Sequence, residues 1–207
     1  MEQKSDEELS VEYNIPSSIS GKKGEKASSF SVMVTGQIES AKFPAHVSNL
    51  YCRYVVSYGV DWDMVHGIPT GISQIARRQV GGANDTIVWN FPIDFALRST
   101  NAYGWPRISL AVYGLDFLGR DVVRGYGSIM VPTSPGRYLE RVLTYRPISG
   151  SCCLQFLNWL NGTNPEYYET NFTAKGEGRA VTRVKAEGSV KVALSVSIKD
   201  MKRFGFR

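Results

Sequence analysis

The chain has 207 residues, 43% of them hydrophobic and 12% aromatic, with a formal net charge of +5. That length suits one domain that hides roughly 70% of its unfolded surface and so needs no staples. The three cysteines, Cys52, Cys152 and Cys153, are odd in number with two adjacent, which excludes a secreted disulfide framework, and no apolar run approaches the ~20 residues that span a bilayer.

Residues 1–28 are polar and charged without apolar periodicity, the composition of a disordered tail. The start, Met1 to Glu8, has no signal-peptide character, so a cytoplasmic, reducing location is expected. The Asn-x-Thr triplets at Asn84, Asn161 and Asn171 are then chance matches. Residues 29–207 are expected to form one domain. Phe30, Val32 and Val34 alternate with Ser31, Met33 and Thr35 as a half-buried strand, extended by Gln37 to Glu39. Leu50 to Tyr58 is the second strand. Gly59 to Gly71 reads as a loop that carries Asp61-Trp62-Asp63, and Ile72 to Ile75 as a short strand. Gly81 to Asp85 is a turn before Ile87 to Phe91. Pro92 then marks a bulge or an edge position. Ile93, Phe95 and Leu97 continue the alternation.

Asn101 to Pro106 is a turn in which Gly104 suits positive φ. Ile108, Leu110 and Val112 alternate next, followed by a loop from Leu115 to Arg120. Val122 to Val131 is a strand whose Gly125 and Gly127 mark a bulge. Tyr138 to Tyr145 is a further strand. Leu154 to Leu160 is the one expected helix, closed by Asn161-Gly162. Ala180 to Val184 and Ser189 to Ile198 complete about eight or nine strands joined by turns, the pattern of an antiparallel β-sandwich.

Charge is uneven. Residues 1–28 hold four Lys and six acids, a net of −2, which leaves +7 for the remainder. Residues 175–207 hold nine basic residues and three acids. Such a surface suits an acidic partner or an anionic membrane. Lys and Arg spaced by two also mark the wet side of a strand, so solvation alone accounts for the pattern equally well. Trp62 at a loop tip, with Arg179, Arg183 and Lys185 along a strand, are the candidate partner or lipid contacts. For Trp62 the competing reading is an indole folded back over the sandwich edge, which a large aromatic favours. The aromatic content fits a sandwich core and gives no reason to expect nucleic acid.

Catalytic patterns are absent. His46 and His66 are the only histidines, and there is no G-x-S-x-G elbow, H-E-x-x-H, P-loop or C-x-x-C. Cys52 sits on the strand expected to bury it as an inert thiol. No enzyme, cofactor or metal is therefore expected.

Six segments carry a resemblance: V-x-G-Q-I-E-S-A-x-F-P (Val34 to Pro44), L-Y-C-R-Y (Leu50 to Tyr54), W-N-F-P-I-D (Trp89 to Asp94), S-T-N-x-Y-G-W-P (Ser99 to Pro106), D-V-V-R-G-Y-G (Asp121 to Gly127) and G-E-G-R-x-V-T-R-V (Gly176 to Val184). Together they resemble the B9-domain family, a divergent branch of the C2-like sandwiches. The resemblance implies a C2-like antiparallel β-sandwich. It also implies a non-enzymatic component of the transition-zone complex at the base of cilia, near the basal body. There such proteins assemble with sibling B9-domain proteins and transition-zone membrane proteins, support ciliogenesis and help gate membrane-protein entry.

Calcium is the cofactor to test in a C2-like fold. Related calcium sites carry V-x-D-x-D, whereas Val112-Tyr113-Gly114-Leu115-Asp116 has glycine at the first aspartate. Asp121 follows Asp116 by five residues instead of six. One or two carboxylates make a poor site, and Asp116 and Asp121 are expected to cap a turn instead.

Overall fold

The structure, a computed structural model, describes residues 28–78, 86–116, 119–148 and 183–206, with the single positions 151, 153 and 167. The tail to residue 27, the Gly81–Asp85 turn, the Leu154–Leu160 helix, Arg179 and the first residues of the Ala180–Val184 strand lie outside the described residues.

Among the described residues nine antiparallel strands form one curled sheet: β1 (Phe30–Lys42), β2 (Leu50–Ser57), β3 (Trp62–Gly67), β4 (Thr70–Ile72), β5 (Ile87–Ser99), β6 (Arg107–Leu115), β7 (Asp121–Met130), β8 (Gly136–Pro147) and β9 (Val184–Lys199). The order is β3-β5-β1-β9-β8-β7-β6-β2-β4. β7 and β8 share a single pair, Tyr126 with Tyr145. The sheet therefore folds over there into a five-stranded layer, β3-β5-β1-β9-β8, and a four-stranded layer, β7-β6-β2-β4. On the opposite side Ile68-Pro69 carries the chain from β3 to β4 and so from one layer to the other. The expected β-sandwich is present.

Alternation sets the core, because successive strand residues face opposite sides. Phe30, Val32, Val34 and Ile38 of β1 and Val190, Val192, Leu194 and Val196 of β9 point inward. They meet Leu50, Cys52 and Tyr54 of β2 and Ile108, Leu110 and Val112 of β6. A smaller cluster lies on the other side of β6 and β7. There Ala111, Val123 and Tyr126 are buried against Tyr113, Tyr145 and Tyr167.

The structure corrects three boundaries. The expected short strand Ile72–Ile75 is β4, at Thr70–Ile72. The expected Gly59–Gly71 loop contains β3, paired with β5 from Trp62–Ser99 to Gly67–Phe95. Only Trp62 of β3 is fully buried, which left little apolar alternation to read. The two strands expected on either side of Gly188 are one strand from Val184 onward. Leu143 pairs with Ser189 and Tyr145 with Ala186, so Glu187 and Gly188 together oppose Thr144. Gly188, at φ 79°, makes this a bulge rather than a break.

Three other expectations take concrete form. Pro92 lies where β5 has passed the end of β3, at an edge, and the bulge sits two residues earlier, with Asn90 at φ 48°. Arg124 is the extra residue opposite the Val112–Tyr113 step, directly before Gly125. Gly104 adopts φ 70° and its carbonyl accepts from the Gly59 N–H at 2.8 Å.

Candidate interaction surface

Among the described residues the groups that chemistry would need do not converge. His46 is exposed in a loop, and His66 is exposed on β3 with its Nε2 3.7 Å from Asp94 Oδ2. Cys52 is buried, and burial pushes its thiol up to about 12, so it stays protonated and unreactive at neutral pH. Among the described residues no three His, Cys, Asp or Glu side chains gather to hold a metal.

Asp116 caps its turn as expected. Its Oδ1 accepts from the Arg120 N–H and its Oδ2 from Arg120 Nε, both at 2.9 Å. The position where related domains would offer a calcium ligand thus holds an internal ion pair.

Trp62 departs from the role of surface contact. Its side chain is 3% exposed and its Nε1–H donates to the Tyr103 carbonyl at 2.9 Å. It is a core residue with no face to offer a partner, in keeping with the folded-back indole. Arg183 and Lys185 are both exposed at the start of β9, and Lys185 stands opposite Arg146.

Next to them is a half-buried charge cluster. Arg146 Nε lies 2.6 Å from Glu187 Oε2. Burial, and then the neighbouring Arg146, lower the Arg124 guanidinium from its ordinary range, while Glu187 and Asp116 act in the opposite direction.

The outer face of the five-stranded layer is open. Strand register aligns its residues in rows. Arg137, Ser195, Thr35 and Asp94 form one row, Leu139, Ala193, Gln37 and Pro92 the next, and Arg141 with Lys191 and Ser40 the third. The central strands carry small side chains, whereas β8 carries long ones, so the face is grooved. One groove of about 530 Å³ is lined by Thr35, Gln37, Arg137, Leu139 and Ala193. A second of about 500 Å³ follows beside Lys42, Glu140, Arg141 and Lys191.

Lys191 is neutralised by Glu39 at 2.8 Å. Arg141 donates from Nε to Ser189 Oγ at 3.0 Å, which orients its guanidinium. Neither Arg137 nor Arg141 is in an ion pair with a described residue. Leu139 and Leu143 are 60% and 71% exposed between and beyond them.

Sequence reasoning read this strand as a strand and missed it as a surface. The signal was the i, i+2 series Arg137, Leu139, Arg141, Leu143, in which the wet side of a strand carries bulky apolar residues at alternate positions.

The profile of the B9-C2 family, described as "Ciliary basal body-associated, B9 protein", matches residues 32–197. The chain belongs to the B9-domain family. The match runs from the third residue of β1 to near the end of β9, so the B9 domain is the sandwich itself. The chain is 48% identical to mouse "B9 domain-containing protein 1" over 86% of each chain. Against the human protein of that name identity is 47%, again over 86% of each. Cattle "B9 domain-containing protein 2" is 32% identical over 84% of this chain and 97% of its own. Among solved structures, a C2 domain of plant Extended Synaptotagmin 1 aligns with 80% of this chain and 93% of its own, at 11% identity and a TM-score of 0.41.

Proposed function

We propose that this B9 domain is a non-enzymatic scaffold of the ciliary transition zone, which binds sibling B9-domain proteins and transition-zone membrane proteins. In that role it supports ciliogenesis and the gating of membrane-protein entry. The observation that carries the reading is the B9 match across residues 32–197, which spans nearly the whole sandwich and leaves little of the fold for another task. The inert Cys52 and the dispersed histidines agree with it. The test is tagging and loss of function in a ciliated cell. The tagged chain should concentrate at the ciliary base, and its loss should shorten or remove cilia. A diffuse protein whose loss leaves cilia and their membrane composition unchanged would refute the reading.

A second reading has its own observation. The outer face of β8 and β9 is basic with exposed leucines, as a peripheral domain that binds anionic lipid requires. Asp116, held by Arg120, makes such binding calcium-independent. Sedimentation with phosphatidylserine vesicles should then weaken as salt rises and ignore calcium. Equal sedimentation with neutral vesicles would rule it out.

A further inference from the structure

We infer that the edge of β8 that no described strand covers, from Gly136 to Arg141, is a docking site for an extended acidic peptide segment of a partner, which adds as a strand to the five-stranded layer. The inference rests on the scaffold function proposed above and specifies the surface that would serve it.

Three observations combine. The first is the edge. β8 pairs with β9 over its length, but on its other side it pairs with β7 only at Tyr145 and packs against it no earlier than Val142. No described strand covers Gly136 to Arg141 on that side, so a row of backbone donors and acceptors is available for augmentation.

The second is the side chains beside it. Arg137, Leu139, Arg141 and Leu143 share the outer face, and residues opposite one another across antiparallel strands interact directly. An incoming strand that fits carries a carboxylate opposite Arg137, an apolar residue opposite Leu139 and a second carboxylate opposite Arg141. On the other face Glu140 disfavours a further acid.

The third observation bears on who the partner is not. Two copies of this chain that paired antiparallel through β8 about Leu139 would set Arg137 against Arg141. Like charges directly opposite are destabilising, so that register is closed to a second copy and open to an acidic strand. A membrane fits less well, because the leucines repeat at strand spacing along the wall of a groove rather than at a projecting tip.

The probe is a short synthetic peptide with glutamate and valine alternating on one face of the strand and threonine on the other, followed by fluorescence anisotropy on the full chain. The wild-type chain should bind it. The Arg137→Glu, Arg141→Glu double variant should bind it at least about tenfold more weakly, which is about 1.4 kcal/mol. A peptide with lysine in place of glutamate should recover binding to the double variant. A peptide N-methylated along one edge should lose it. Because both arginines are exposed, the variant should elute where the wild type does, and rescue by the lysine peptide reports on its fold as well. No binding of the glutamate peptide, equal binding of the methylated peptide, or arginine-dependent capture of phosphatidylserine vesicles in place of the peptide would each overturn the inference. Co-elution of the double variant with sibling B9 proteins as strongly as wild type would overturn the edge assignment and leave the scaffold function standing. Failure of the wild type to co-elute would remove the scaffold function without altering the peptide result.

Discussion

The indoles of Trp62 and Trp105 meet edge to face, their centroids 5.2 Å apart and their planes at 89°. Phe30 packs on Trp62 from another side at 5.4 Å. Trp62 thus fastens the start of β3 to the core, and its N–H is satisfied by the Tyr103 carbonyl. Trp62→Ala should cost about 3–5 kcal/mol, as large aromatic truncations do. Trp62→Phe keeps most of the contact and should cost less. Urea denaturation followed by circular dichroism measures both. A surface contact would behave differently: Trp62→Ala would leave the midpoint in place and weaken only partner binding.

Cys52 provides a pH-dependent prediction. Its thiol rises from an ordinary value of 9.0 to about 12 because it is buried. Below pH 9 both states hold the proton, and the full stability is present. Above it the unfolded chain releases a proton that the native state retains, so stability falls as pH rises from about 9 toward 12, by up to tenfold in the folding constant per unit. Cys52→Ala should flatten that decline relative to wild type. In thiol labelling at pH 8, exposed Cys153 should react at once and Cys52 only on unfolding.

Gly36 lies where β1 crosses β9 closely. A Cβ at this position would run into the Ala193 carbonyl oxygen. Both partners are backbone in the middle of the sheet, so neither yields easily. Gly36→Ala should destabilise by about 2–3 kcal/mol, as overpacking does, and should lower the melting temperature measured by calorimetry.

Glu187 is the carboxylate between Arg146 and Arg124. Glu187→Gln leaves two half-buried cations facing each other and should cost about 1–3 kcal/mol. Adding Arg146→Met removes one of them and should recover part of the loss. A double variant less stable than the single one, in the same urea titration, would contradict this electrostatic reading.

The core was legible from the sequence because period-two alternation is strong where one face is buried. Val190, Val192, Leu194 and Val196 and Ile108, Leu110 and Val112 all point inward as their spacing predicts. β3 was not legible. It is an edge strand of six residues with one buried side chain, and propensity cannot separate that from a loop. The joining of the two layers at Tyr126 and Tyr145 was also hidden, because register between distant strands leaves no local mark. At the candidate surface, Arg183 and Lys185 are exposed. At Trp62 the structure decides between the two readings: Asp61 and Asp63 point outward and the indole folds inward, as a large aromatic favours. The edge of β8 became visible only once β7 was seen to turn away from it.

The most direct test of the scaffold function is co-expression of the chain with two sibling B9-domain proteins and size-exclusion chromatography at moderate salt. Co-elution at a defined stoichiometry is the expected result. Separate elution of the folded proteins would contradict it.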